Sequence, residues 1–332
     1  MDPAGPDQAG ALPTGPHGTI GPGSVRMPRW PGPLLVIAGI LLGIGALGTG
    51  ALAIRGEIAV EDPSVFGWLA LLGAAMFAVG LLYIAIRQLR VRRFLPPERY
   101  RGPGVLVLLL LVLVLASIFT APFGTDATAL LIGEGELTFL GAAVLLVATQ
   151  TALLLVSWFL VFRPGALAAL PSLPGNDPGG AVRAGLGWGV LAWLGATLVA
   201  AGVVWVLEQV GFRAQPQVAE RAIQLVDPWV VILAVAILAP VAEEIFFRGV
   251  VFNAWLREGG RRWAYLGSSV LFAAIHISVV TLLPIFLLGL ALAWIYERKG
   301  NLLAPIAMHA AVNGISVAVA LLARFDVVRL PV

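Results

Sequence analysis

The sequence predicts an all-α fold, a polytopic bundle of transmembrane helices, on three observations. Of its 332 residues 59% are hydrophobic and only 12% are charged, and its mean hydropathy of +0.95 lies outside the range of ordinary soluble domains. Spans of 18 or more mostly apolar residues recur down the chain, whereas a secretory signal is one shorter apolar stretch at the start. Arginine and lysine alternate between rich and poor inter-span segments, as the orientation rule for membrane helices requires.

Residues 1–33 are rich in Pro and Gly and carry almost no large apolar side chains. Such a segment buries too little surface to offset its chain entropy, so a disordered tail is expected. Spans follow near 34–54, 65–86, 104–122, 137–162 and 185–207, an N-terminal transmembrane region. A C-terminal four-helix core is expected within 228–324, with spans near 229–256, 263–278, 281–297 and 302–323. That makes nine. Eight is the alternative, because only a very short link, Ile277 to Thr281, separates two of the last four. Gly43, Gly45, Gly48 and Gly50 give the first span small surfaces on which helices pack closely in lipid.

With the N-terminus inside, Arg55, Arg213, Arg221, Arg324 and Arg329 fall on outer segments and Arg248 within a span. The remainder of the 21 basic residues fall on inner segments, a threefold excess. The pattern predicts an integral membrane protein with a cytoplasmic N-terminus, and a bacterial cytoplasmic membrane is its expected location. It also accounts for a pI near 9.8 without a nucleic-acid partner. The chain has no cysteine, which excludes disulfides, thiolate metal sites and cysteine nucleophiles.

An ionisable side chain at the centre of a membrane helix costs about 2.5–3.5 kcal/mol on insertion scales, so such residues are functional by default. The last four spans hold Glu243, Glu244, Arg248, His276, His309 and Asn313, whereas the first four hold essentially none in their interiors. Three patterns emerge: E-E-x-x-x-R, F-x-x-x-H with Phe272 and His276, and H-x-x-x-N. Residues four apart share a helix face. Glu244 can therefore pair with Arg248, while Glu243, about 100° away, is left to face something else. At about 1.5 Å rise per residue, Glu243 and His276 lie about 20 Å from the inner ends of their spans, Asn313 about 17 Å and His309 about 10 Å. Three helices thus bring polar groups to comparable depth. Pro240 is expected to bend its helix and to free a backbone carbonyl beside them.

A carboxylate near two imidazoles in a dry cavity can do three things. It can activate water against a carbonyl whose oxyanion His309 and the Asn313 amide stabilise. Glu243, His276 and His309 could instead hold a divalent metal such as zinc with one position open for water. Or the cluster could relay protons or bind a transported substrate.

On these three patterns, intact and in order within about 75 residues, the segment from about 228 to 324 resembles the CPBP family, the CAAX proteases and bacteriocin-processing enzymes also called Abi. The resemblance implies intramembrane endopeptidase activity. It implies a water-activating role for Glu243 with His276, an oxyanion-stabilising role for His309 and Asn313, and support from Glu244, Arg248 and Phe272. The motifs do not decide between a metal and a glutamate mechanism. The lack of H-E-x-x-H geometry inclines the reading to one without metal, so the sequence requires no cofactor. The expected partners are the lipid bilayer and a peptide or protein substrate, lipidated substrates included. A non-proteolytic transporter or scaffold using the same cavity is the alternative, but no second copy of the polar patterns is visible, which favours the enzyme.

Overall fold

The computed structural model describes residues 27–54, 64–120, 139–167, 176–211, 224–276, 278–325 and 327. Residues 1–26 of the expected tail lie outside the described residues. Helices stand at each of the nine expected positions: α1 (Pro31–Ile54), α2 (Ser64–Arg92), α3 (Val105–Thr120), α4 (Phe139–Ser157, continuing as a π-helical turn, Trp158–Phe162) and α5 (Pro178–Gln209). A helical run Pro228–Ala274 follows. Gly260, with φ of 80°, breaks it into α6 (228–259) and α7 (261–274); an L side chain is strained at that backbone angle and glycine is not. Then come α8 (Val279–Lys299) and α9 (Leu303–Arg324). Among the described residues there is no strand. Seven helices, with 228–274 counted as one, are long and apolar enough to cross a membrane, and α3, at 16 residues, is shorter. The chain is an integral membrane protein of all-α fold.

Two boundaries correct the sequence reading. Helix α1 begins at Pro31, so residues 31–33 are helical rather than part of a tail, and the Tyr83 hydroxyl donates to the Pro28 carbonyl at 3.0 Å. Helix α5 begins at Pro178 rather than near 185. Asp177 caps it, accepting from the Gly180 N–H at 2.8 Å. In both cases Pro stands in the first turn, where its missing N–H costs nothing and its φ suits a helix. Composition alone reads such a stretch as loop.

Helices α1 and α2 pair through glycine: a Cβ on Gly39 would lie 2.6 Å from the Gly73 carbonyl oxygen, and one on Gly73 2.7 Å from the Gly43 nitrogen. Gly50 meets Phe66, whereas among the described residues a Cβ on Gly43, Gly45 or Gly48 would meet nothing within 4 Å, Gly43 taking part in the packing through its backbone. The main core lies deeper. Leu108 of α3, Leu153 of α4, Phe246, Phe247 and Val250 of α6, Phe272 of α7, Leu292 of α8 and Met308 of α9 form one buried cluster. Helix α5 backs α9 through Gly185, where a Cβ would lie 2.4 Å from the Ala304 carbonyl oxygen, and Gly189, where it would lie 2.8 Å from that of Met308. Ion pairs tie the ends of the helices together, Arg92 to Glu258 at 2.8 Å and Arg261 to Glu297 at 2.7 Å.

Helix α7 decides the depth of one site residue. At about 1.5 Å per residue it rises about 20 Å, short of a hydrocarbon layer of about 30 Å. It starts at Arg261 and Arg262 and ends at Ala274, and His276 lies just past that end.

Candidate functional site

Helix α6 alternates between α-helical and π-helical stretches, and the glutamates lie in an α-helical one. Ala239–Glu244 is α-helical, while Ile232–Leu238 before it and Ile245–Phe252 after it are π-helical. Such stretches are rare and concentrate at functional sites, because each shifts the register of backbone bonds and re-aims side chains. Here both flank the residues the sequence singles out. The second stretch is tied down by Asn253, whose Nδ2 donates to the Arg248 carbonyl at 2.7 Å and to the Tyr296 hydroxyl of α8 at 2.8 Å.

Within this frame Glu244 and Arg248 are both 0% exposed. Arg248 Nη1 donates to Glu244 Oε1 at 2.9 Å, and Nη2 donates to the Gly289 carbonyl of α8, also at 2.9 Å. The guanidinium lies 4.6 Å from the centre of the Phe272 ring, a cation–π contact. The same Glu244 Oε1 lies 2.9 Å from His309 Nδ1. An ionised carboxylate only accepts, so Nδ1 carries the proton and Glu244 fixes the ring's orientation and tautomer.

This leaves His309 Nε2 facing the other glutamate. It stands 3.8 Å from Glu243 Oε2, an atom buried without a hydrogen-bond partner among the described residues. That separation is too long for a direct hydrogen bond. The two adjacent carboxylates differ in their partners: Glu244 is held through Oε1 by an arginine and a histidine, while its Oε2, like Glu243 Oε2, is buried without a hydrogen-bond partner among the described residues.

His276 sits just past the end of α7. Its Nδ1 lies 2.8 Å from the Phe272 carbonyl, which can only accept, so the proton is on Nδ1 and Nε2 offers its lone pair. The Phe272 ring is the hub between the helices, edge-on to His276 with centroids 5.2 Å apart and to His309 at 5.5 Å. Among the described residues no hydrogen bond or ion pair joins His276 to Glu243. Asn313, expected beside His309 on its helix face, instead donates from Nδ2 to the Val235 carbonyl of α6 at 2.9 Å.

The structure thus unites Glu243, Glu244, Arg248, Phe272 and His309 in direct contact, with His276 attached through Phe272 and Asn313 through the α6 backbone. Residues 225–315 match the family of type II CAAX prenyl endopeptidases, Rce1-like. All seven residues fall inside that Rce1-like segment. Over 78 residues the chain is 33% identical to "UPF0177 protein YxdF" of Lactococcus lactis subsp. lactis (strain IL1403), covering 23% of this chain and 42% of that protein. Over 82 residues it is 33% identical to "Putative membrane peptidase YdiL" of Bacillus subtilis (strain 168), covering 25% of this chain and 34% of that one. The chain therefore matches less than half the length of these relatives. No solved structure matches the chain.

Two contributors to the Rce1-like segment escaped sequence reasoning because they act through the backbone. Gly289 supplies a carbonyl to Arg248, and a Cβ there would lie 3.0 Å from Ser269 Cα, so a larger residue crowds α7. Val235 supplies a carbonyl to Asn313. As for metal, among the described residues no three His, Asp or Glu side chains form a group that could hold an ion. Glu243 and His309 converge, but His276 does not complete a three-donor set with them.

Proposed function

We propose that the chain is an intramembrane endopeptidase in which Glu243 activates water. The observation that carries this reading is the use of one Glu244 oxygen by both Arg248 and His309, which turns His309 Nε2 toward the unpartnered Glu243 oxygen 3.8 Å away. A water or substrate oxygen about 2.8 Å from each atom would bridge the two from beside the line that joins them. The Rce1-like match supports peptide hydrolysis over transport.

In the proposed reaction Glu243, assisted by the His276 Nε2 lone pair, takes a proton from water as its oxygen bonds to the peptide carbonyl carbon. The carbonyl oxygen becomes an oxyanion. His309 donates to it from Nε2 when both ring nitrogens carry protons, and the Asn313 amide contributes a second donor. As the C–N bond breaks, Glu243 returns its proton to the departing nitrogen, leaving a carboxylic acid and an amine, between which the remaining water proton then exchanges. Glu244 and Arg248 hold His309 in place and touch no reacting atom.

The proposed substrate is a membrane-associated peptide, and the family's description suggests one with a prenylated C-terminal cysteine. The test is a quenched fluorescent peptide ending in a farnesylated CAAX sequence, presented with purified protein in liposomes. Cleavage by the wild type and a loss of roughly 10²–10⁴-fold in Glu243→Gln is expected. Equal cleavage by both proteins would remove Glu243 from the role.

A further inference from the structure

The π-helical stretch before the glutamates ends where the sequence places a proline. The Ala239 N–H bonds to the Ala234 carbonyl, five residues back. In the same register the next N–H would bond to the Val235 carbonyl, but residue 240 is proline and has none. An orphaned carbonyl away from water must find another donor, at a cost of about 1–3 kcal/mol if it does not. It finds Asn313 Nδ2 at 2.9 Å.

We infer that Pro240 is a positioning residue: by withholding a backbone N–H it gives the Val235 carbonyl to Asn313 and thereby sets the asparagine's amide on α9. The chemistry fixes more than a distance. A carbonyl only accepts, so the amide presents nitrogen rather than oxygen to Val235, and its orientation is decided. Nδ2 carries two protons. With one engaged by Val235, the second is held in a defined direction, which is what a donor to a developing charge needs and a freely rotating amide lacks. Pro240 is three residues before Glu243, so the proline ties the helix of the proposed base to the helix of the proposed oxyanion donors. Asn253 makes a comparable contact at the second π-helical stretch, donating to the Arg248 carbonyl at 2.7 Å. There the amide also joins the Tyr296 hydroxyl and is fully engaged, whereas at Asn313 the Val235 bond is the amide's contact among the described residues.

The inference rests on Asn313 being an oxyanion donor in the proposed reaction, and the experiment separates the two. Pro240→Ala restores the N–H. Wild type, Pro240→Ala, Asn313→Ala and the double variant are compared in liposomes on the farnesylated quenched peptide. Asn313→Ala should lower kcat roughly 100-fold. Pro240→Ala should lower kcat roughly tenfold with KM within about twofold, since the donor persists but is misplaced. The double variant should match Asn313→Ala alone, because a proline that acts only through Asn313 has nothing left to position. Wild-type kcat in Pro240→Ala, or losses that multiply in the double variant, would overturn the inference. Full activity in Asn313→Ala would instead defeat the oxyanion reading. A second readout needs no substrate: the Asn313 side-chain amide resonances, assigned by their loss in Asn313→Ala, should shift in Pro240→Ala in nanodiscs, and unchanged resonances would overturn the inference. Should Pro240→Ala fail to fold, the wild-type spectrum decides, with one Nδ2 proton exchanging with solvent far more slowly than the other; equal exchange would contradict the Val235 bond.

Discussion

Replacing Arg248 by Met tests the charge network from which the site is built. The guanidinium is 0% exposed and makes two hydrogen bonds of 2.9 Å, to Glu244 and to the Gly289 carbonyl. Methionine fills much of the same volume without a donor. Glu244 then keeps only His309 Nδ1 at 2.9 Å, and the Gly289 carbonyl loses its partner. Removing one member of a buried ion pair costs about 3–5 kcal/mol; because His309 remains against the carboxylate, the lower end, about 3 kcal/mol, is expected. Glu244→Gln removes the charge while its Oε1 still accepts from His309. The double variant should therefore regain part of the loss, with a coupling of roughly 1–3 kcal/mol. The assay is unfolding by SDS titration in bicelles, followed by tryptophan fluorescence. If Arg248→Met stays within about 0.5 kcal/mol of wild type, or if the two losses simply add, the buried network does not hold the site together.

Two further outcomes are expected. Gly185→Ala places a Cβ 2.4 Å from the Ala304 carbonyl oxygen, a backbone atom that cannot turn aside, so the protein should lose about 1–3 kcal/mol in the same unfolding assay and α9 should shift with it; unchanged stability would mean that α5 does not pack as described. Elemental analysis of active protein tests the metal question: substoichiometric zinc and activity that survives a chelator are expected, and stoichiometric zinc with activity restored only by metal would replace the glutamate mechanism with a metal one.

The polar patterns were legible because lipid makes charge expensive, so Glu243, Glu244 and Arg248 stand out in an apolar span. Spacing gave the Glu244–Arg248 pair, which the structure places at 2.9 Å. It did not give the Glu244–His309 bond, because contacts between helices have no period in the sequence. Pro240 was expected to free a carbonyl, but which one depends on the π-helical register of 232–238, and only that register selects Val235. The fold was readable from hydropathy, whereas the starts of α1 and α5 were not, since Pro31 and Pro178 look like loop residues and act as first-turn residues. Gly260 falls in the link between the spans expected near 229–256 and 263–278, and its φ of 80° is what turns one long helical run into two arms.

If the Glu243 carboxylate cuts peptide bonds within the membrane, the new peptide ends it creates can be found with no assumption about substrate. Peptides are compared by mass spectrometry from membranes of cells carrying the wild-type chain or Glu243→Gln at equal abundance. A set of new peptide termini present with wild type and absent with Glu243→Gln is predicted. Identical termini in the two, with a transported solute distinguishing them instead, would contradict it.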